Sequence, residues 1–266
     1  MIRLGHGYKA GLTIMRGKQL IRCGLAAHWA VALSGSILFV GAARGDAVDD
    51  VIAKLEAAHA RTTSYTAKVR STQEYSDRKE SIRIETQGSV EWKRDGEKIL
   101  FRSEAEDSAL RKRGPDLQQH KSKSLFVSDG SIFWAQSEDG GKINVMMAKP
   151  DPLLVGSPKA MVDKFRPDHQ VKLLKDEAVD GADCHVIELK SRATRDQNAE
   201  RIVLFFRKDC GLNVQHVGYD DQGRKASEKT LLSVKVNVDI PPERFTYTVP
   251  EGVNVMDFIN NPEPAP

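Results

Sequence analysis

The stretch IRIETQGSVEWKRDGEKILF, from Ile82 to Phe101, decides the fold class of this chain. The apolar residues of its first half stand at even positions: Ile82, Ile84, Val90 and Trp92. Every odd position between them is polar, and this period of two predicts a strand with one apolar and one polar face. Arg94 follows in the apolar phase. Its guanidinium is therefore predicted to point to the same side as Trp92.

A hairpin is predicted at the end of this strand. Asp95-Gly96 is a strong signal for a two-residue turn. Such a turn pairs Arg94 with Glu97, Trp92 with Ile99, and Val90 with Phe101. The apolar phases of both strands then lie on one face.

The preceding stretch, SYTAKVRSTQEY, predicts another strand, with Tyr65, Ala67 and Val69 in one phase. If Tyr75 pairs with Glu80, Ala67 meets Gly88 and Tyr65 meets Val90. Three consecutive strands then share a single apolar face.

The first 45 residues have the composition of an export signal. They contain six of the 40 basic residues and none of the 37 acidic ones, and the run CGLAAHWAVALSGSILFVGAA has no charge. A basic stretch, an apolar run and small residues before Gly45 are typical of a cleaved signal peptide. An uncleaved anchor is the alternative, because the run is long enough to span a bilayer. Both predict export to the periplasm, and Met15 is an alternative start.

The charge balance changes sign once this leader is set aside. The remainder has 34 basic against 37 acidic residues, a formal net charge of −3. A nucleic-acid partner is therefore not indicated. We expect residues 46–259 to form one domain and residues 260–266 a tail. Two cysteines remain in it, Cys184 and Cys210, and in an oxidising compartment such a pair is a candidate disulfide, which one sequence leaves open.

An amphipathic helix is predicted to begin at Asp46. Its apolar stripe recurs at helical spacing: Val48, Val51, Ile52, Leu55 and His59. His59 is interpreted as a packed helix residue.

The rest of the chain predicts mostly further strands. The polar segment Glu104–Lys123 is interpreted as a solvated loop or hairpin tip, and Pro150–Pro167 as a compact helical insertion. Strands are then predicted in QVKLLKDEAV, CHVIELKS, RIVLFFRK, LNVQHVGYD, KASEKTLLSVKVNVDI and RFTYTV. Short turns between them predict an antiparallel sheet rather than βαβ units.

No catalytic or metal-binding motif is present in the sequence. We find no HExxH, GxSxG, CxxC or glycine-rich phosphate loop. His185 and His216 lie on predicted strands without acidic residues at ligand spacing. We therefore expect neither an enzyme, a metal site nor a cofactor.

An antiparallel sheet with one apolar face and few helices must close or be covered. The fold predicted is mainly antiparallel β with a few helices: a half-open, incomplete β-barrel whose helical lid leaves an apolar cavity. The residues predicted to line this cavity are Val90, Trp92, Arg94, Ile99, Phe101, Trp134, Leu204 and Phe206.

The order of segments along residues 46–258 resembles a known family. VIAKLEAA, GSVEWKRDGEKILF, VSDGSIFWAQ, VDGADCHVIELK, IVLFFRKDCGLNVQHVGYDDQG and VNVDIPPERFTYTVPEGVNVMDF follow one another as in the LolA/LolB-type outer-membrane lipoprotein carrier superfamily. The resemblance implies an incomplete antiparallel barrel that holds acyl chains of lipoproteins or other lipids. It also implies delivery through the periplasm toward the outer membrane, with an inner-membrane release complex and an outer-membrane acceptor as partners. We expect a monomer.

The resemblance also implies a role for Arg94. Periplasmic carriers of the family have Lys-Arg-Pro at the end of an early strand, and the arginine hydrogen-bonds the backbone of the lid. Lys93 and Arg94 match, whereas Asp95 replaces the proline. The alternative is a surface pair of Arg94 with Glu97. Because the superfamily includes envelope-stress regulators, a sensor that binds lipid-modified partners without transport is the alternative function.

Overall fold

A computed structural model describes residues 47–76, 80–150, 156–192 and 200–260 of the protein. The predicted leader, residues 1–45, and nearly all of the predicted tail lie outside these described residues, so both remain predictions.

Two α-helices and thirteen strands are present in the described residues. The helices are α1 (Ala47–Ala60) and α2 (Pro158–Phe165). The first six strands are β1 (Ser64–Ser76), β2 (Glu80–Asp95), β3 (Lys98–Arg113), β4 (Asp116–Ser128), β5 (Phe133–Asp139) and β6 (Lys142–Ala148). The others are β7 (His169–Leu173), β8 (Glu177–Val179), β9 (Ala182–Ser191), β10 (Arg201–Arg207), β11 (Asn213–Tyr219), β12 (Lys225–Val236) and β13 (Val255–Asp257).

The strands form one sheet that does not close. Its order is β13-β6-β5-β4-β3-β2-β1-β12-β11-β10-β9-β7, and β8 pairs with β9 beside this path. All pairs are antiparallel except that of β13 with β6. The terminal strands β13 and β7 are not paired with each other. The predicted fold class is confirmed: a half-open antiparallel barrel with a few helices.

The predicted strand register differs from the structure by two residues. Tyr65 pairs with Trp92 and Ala67 with Val90. Across the next turn, Trp92 pairs with Phe101 and Arg94 with Ile99. A slip of two residues preserves the side-chain phase. The shared apolar face was therefore predicted correctly, although the individual partners were wrong.

The slip at the hairpin between β2 and β3 has its cause in Gly96. The turn consists of Gly96 and Glu97, because Asp95 still pairs with Lys98. Of these two central residues only Gly96 has a positive φ, of 60°. Glycine at the first central position is the pattern of a type II′ turn. The prediction had placed Asp95 in the turn instead.

The helices pack against one side of the sheet, which we call the inner face. The predicted stripe of α1 is buried there, and Val162 of α2 joins it. From the sheet, alternating residues of β9 and β10 complete this cluster: Ile187, Leu189, Leu204 and Phe206. Burying such side chains contributes about 1.5–3 kcal/mol each, which holds both helices on the sheet.

The opposite side, the outer face, is crossed by the C-terminal segment. The predicted strand RFTYTV is wrong: Pro242–Phe245 is a 3-10 helix, and residues 246–250 pair with no strand. The side chains of the C-terminal segment cover the outer face instead, because Phe245 packs with Ile240 against Leu100. The Tyr247 hydroxyl donates a hydrogen bond to Gln136 Oε1 over 2.8 Å. The chain then adds β13 to the sheet edge.

The polar segment Glu104–Lys123 forms the end of a long hairpin that lies nearest its turn. Strands β3 and β4 pair without interruption as far as Arg113 and Asp116. The interpretation as a hairpin tip is confirmed, and that as a loop is wrong.

Neither α1 nor α2, the helices of the described ranges, is long and apolar enough to cross a membrane.

Candidate ligand-binding cavity

A cavity of about 340 Å³ lies between α2 and the inner face. Most of its wall is apolar, with Met161 and Phe165 on the helix and Ile202 and Leu204 on β10. The complete lining is Gly156, Ser157, Ala160, Met161, Lys164, Phe165, Ile202, Leu204, His216, Gly218 and Ser227. Its volume lies at the lower end of the range for sites that hold small organic ligands, about 300–1,000 Å³.

The start of α2 is fixed by capping and by α1. Ser157 is the N-cap, and its Oγ accepts a hydrogen bond from the backbone N–H of Ala160. Pro158 occupies the first helical position, where its missing N–H costs nothing. Glu56 of α1 accepts two hydrogen bonds, from Ser157 Oγ over 2.5 Å and from the backbone N–H of Lys159 over 2.7 Å.

The other end of α2 is tied to the beginning of α1. Arg166, the C-cap residue, forms ion pairs with Asp49 of α1 and with Asp163 of its own helix. Because Glu56 holds the N-terminus and Asp49 the C-terminus, the two helices run antiparallel. The roof of the cavity is therefore attached to α1 by the two hydrogen bonds to Glu56, by the ion pair of Arg166 with Asp49 and by the buried Val162.

The wall on β11 and β12 consists of His216, Gly218 and Ser227. His216 and Lys229 are direct cross-strand partners. Burial, assisted by the charge of Lys229, lowers the pKa of His216 from 6.5 to about 4, so the imidazole is neutral near pH 7. Lys229 is an exposed residue on the inner face. Desolvation lowers its pKa as well.

Seven of the eight residues predicted to line a cavity lie on the inner face, but only Leu204 contacts this one. Phe206 packs under the helices. Val90 and Phe101 belong to a neighbouring apolar cluster, and Ile99 is half-buried opposite Arg94. The seventh, Trp92, lies next to Arg94 beneath the C-terminal end of α1. Ligand contact by these residues stays a prediction.

Trp92 is a core residue. It is 1% exposed, stacks on Tyr65 with ring centroids 5.6 Å apart, and contacts His59 of α1 at 5.8 Å. Burial and the nearby Arg94 charge lower the pKa of His59. The interpretation of His59 as a packed helix residue fits this position. A charged residue in place of Trp92 would unfold the protein rather than test ligand binding.

Arg94 lies at the C-terminal end of α1. Its Nη1 donates a hydrogen bond to the carbonyl of Ala60 over 3.4 Å, and its Cζ lies 5.5 Å from the Trp92 ring centroid. The predicted pairing of Arg94 with Glu97 across the turn is wrong, because Ile99 occupies that position. The contact with helix backbone is of the type that the resemblance implies, but the helix is α1 and not α2.

Trp134 corrects the predicted set. Ser128 pairs with Phe133, so β5 directs Phe133 and Ala135 to the inner face and Trp134 to the outer face. There Trp134 stacks on Tyr247 with centroids 5.1 Å apart. The phase of β5 depends on the length of the loop after Ser128, which the sequence pattern does not determine.

The two cysteines are free and buried. Burial raises the pKa of both thiols, that of Cys210 to about 11, so both are protonated at neutral pH. Both cysteines are thus thiols in this structure, and the candidate disulfide stays a prediction. Among the described residues, no group of three or more His, Cys, Asp or Glu side chains could hold a metal ion.

The cavity residues missed by the sequence analysis come from α2 and from polar positions on the strands. Met161 and Phe165 had been assigned to a helical insertion without a role, and His216 had been considered only as a metal ligand. The signal was present in the phase of RIVLFFRK, since Ile202 precedes Leu204 and Phe206 by even steps. No local pattern places His216 opposite Lys229, because that contact depends on a long-range register.

An unclosed antiparallel sheet carries helices on one face, with an apolar cavity beneath one of them. This is the fold that the segment order of the sequence had predicted.

Comparisons with known proteins give distant similarities. No family model matches the chain. An uncharacterized protein of Methanocaldococcus jannaschii is 26% identical over 138 residues, which are 50% of this chain and 37% of that protein. The match thus spans little more than a third of the relative's length.

Two solved structures illustrate the structural similarity. An uncharacterized conserved protein from Thermus thermophilus has a TM-score of 0.48 at 10% identity, covering 80% of this chain and 99% of that one. The MucA/MucB complex of Pseudomonas aeruginosa has a TM-score of 0.42 at 12% identity, covering 75% and 60%.

Proposed function

We propose that the protein is a periplasmic carrier that binds an acyl chain of a lipoprotein or another lipid and delivers it toward the outer membrane. The observation that supports this most directly is the apolar cavity between α2 and β10. Acyl chains require apolar volume rather than specific polar contacts, and Met161, Phe165, Ile202 and Leu204 supply such a surface. The proposal includes no catalytic step.

Helix α2 is the element that can admit the chain. It covers the cavity, has only Pro158 and Val162 fully buried, and is attached to α1 by the Glu56 and Arg166 contacts. Strands, by contrast, are held by ladders of backbone hydrogen bonds. Ligand entry is therefore proposed to displace α2, and the free energy of acyl binding then compensates for the weakened attachment of this helix.

A matched pair of methionine variants tests the site. Met161→Glu places a carboxylate in the cavity roof from a half-buried position, whereas Met256→Glu makes the same change at an exposed position of strand β13. A fluorescent fatty-acid probe should bind wild type and Met256→Glu equally and Met161→Glu at least about tenfold more weakly, because a charge in an apolar site is costly. Unchanged binding to a folded Met161→Glu variant would show that this cavity does not hold the chain.

The material bound in the cell separates a carrier from a sensor. The protein is purified from its native periplasm, and bound lipids and proteins are identified by mass spectrometry. Near-stoichiometric acylated lipoprotein or phospholipid supports the carrier. Empty protein that co-purifies with an inner-membrane regulator contradicts it.

A further inference from the structure

The cavity is bordered by basic groups on three elements. Lys164 of α2 and His216 of β11 belong to its lining, and Lys229 of β12 is the direct cross-strand partner of His216. Paired residues in an antiparallel sheet have Cβ atoms about 4.5–5.5 Å apart, so Lys229 stands one strand from the cavity wall. The eleven lining residues include no carboxylate.

No described carboxylate neutralises Lys229. Glu228, its neighbour in sequence, is in the opposite phase and binds Gln215 and Lys225. Asp163 of α2 forms ion pairs with Lys159 and Arg166.

The strands on the other side of Lys229 offer no counter-charge either. On the inner face, Lys229 pairs with Ser71 of β1, and Ser71 with Thr86 of β2. The next inner-face residue is Asp107 of β3, three strands from Lys229, and it accepts a hydrogen bond from Thr86.

Lys229 is an exposed residue, so its ammonium group is accessible to a ligand, and no described carboxylate competes for it. Desolvation by neighbouring parts of the chain lowers its pKa, which a bound anion would counteract. Such an anion would form charge-assisted hydrogen bonds with Lys229, which are about twice as strong as neutral ones. His216, neutral at pH 7, can donate one ring N–H to the same anion.

We infer that the cavity takes an anionic amphiphile, with its acyl chain between α2 and β10 and its carboxylate or phosphate headgroup on Lys229 and His216. Lys164 lies at the rim, where it attracts the headgroup as it approaches. This inference rests on the proposed function, because it assigns the headgroup of the lipid whose chain the cavity holds.

Calorimetric titration of the full chain with four probes tests the inference. Dodecanoate, dodecyl phosphate and dodecanol share one chain and differ in headgroup, and inorganic phosphate has no chain. Lys229→Met removes the charge on the inner face. Lys235→Met is the matched control, since it makes the same change on the same strand at an exposed position paired with Thr66.

We expect the affinity to depend on the charge of the probe headgroup and on which lysine is replaced. Wild type and Lys235→Met should bind at least one anionic amphiphile about tenfold more tightly than dodecanol, as one charge-assisted contact allows. Lys229→Met should lose this preference and keep its affinity for dodecanol. The anion that is preferred identifies the headgroup as a carboxylate or a phosphate.

Three outcomes would overturn the inference. Equal binding of the alcohol and both anions to wild type would leave the carrier proposal intact and refute the headgroup site. An equal loss in both lysine variants would mean a general charge effect, and binding of inorganic phosphate as tight as that of dodecyl phosphate would exclude an amphiphile. If none of the chain-bearing probes binds, the proposed function fails together with the inference.

Discussion

At the scale of single residues, Arg94 shows how a charge can be accommodated in an apolar phase. Its guanidinium lies over the edge of the core, against the Trp92 ring and the last carbonyl of α1. A cation near a helix C-terminus is favourable, and so is one above an indole ring. The position predicted by the strand phase is thus correct, and its physical reason is the end of α1.

Replacing Arg94 with leucine should lower the free energy of unfolding by about 1 kcal/mol, because it removes one cation–π contact and one helix-end interaction. Arg94→Lys should have a smaller effect, since it keeps the charge without the planar group. Urea denaturation measures both. If stability is unchanged and ligand release to an acceptor is impaired instead, Arg94 acts as a latch on the backbone of the lid, as the family resemblance implies.

His216 makes the protein sensitive to acid. The unfolded chain takes up this proton near pH 6.5, whereas the folded protein takes it up only near pH 4. Between these values the unfolded state binds more protons, so the stability contributed by neutral His216 is lost as the pH falls from 6.5 toward 4.

The variant His216→Gln should lose about 2 kcal/mol less than wild type when the pH of denaturant unfolding is lowered from 7.5 to 5. His59, whose pKa is also lowered, contributes with the same sign to both proteins and does not affect the difference. His120→Gln, at an exposed position, is the control and should follow wild type. Parallel pH profiles for His216→Gln and wild type would contradict the burial of a neutral imidazole at this site.

At the scale of elements, α2 depends on α1 for its position. Glu56 accepts two hydrogen bonds from the first turn of α2, and alanine at this position favours the helix α1 itself. Glu56→Ala should therefore leave α1 intact, weaken the attachment of α2 and raise the association rate of a fatty-acid probe several-fold.

Stopped-flow fluorescence measures that rate, with Asp50→Ala as the control on an exposed carboxylate of the same helix. An unchanged rate for Glu56→Ala would mean that the chain enters without displacement of α2.

At the scale of the whole molecule, the outer face needs the C-terminal segment. Ile240 and Phe245 bury Leu100, and Tyr247 covers Trp134. A chain that ends at Asp239 should expose this surface, bind the hydrophobic dye ANS strongly and unfold at a lower denaturant concentration than the full chain. Equal dye binding by both chains would show that the C-terminal segment is not needed to shield the apolar surface of the outer face.

The sequence predicts periodic features well and long-range ones poorly. The phase of Val90, Trp92 and Phe101 follows from alternation, and the stripe of α1 from helical spacing. The partners of these residues were wrong by two positions, because Gly96 rather than Asp95 begins the turn. Phase alone could not detect that slip.

The candidate site was harder to predict because it is assembled from distant segments. The alternation of strand β10 predicted Leu204 correctly. Trp134 lies on the outer face, because the phase of β5 differs from the predicted one. Tyr247 belongs to the segment that crosses the outer face and not to a strand. His216 and Lys229 meet only through the pairing of β11 with β12. No local sequence pattern in either strand predicts that contact.

The lack of pairing between β7 and β13 has a consequence for the range of ligands. A closed barrel has a diameter that is fixed by its strand number and stagger, and enlarging it would break the hydrogen bonds between two adjacent strands. Here both margins of the sheet are free of each other, so the molecule can widen by uncurling while every strand pair stays intact. Bulkier guests would then be accommodated by elastic deformation, and the protein would return to its narrower shape once the guest departs.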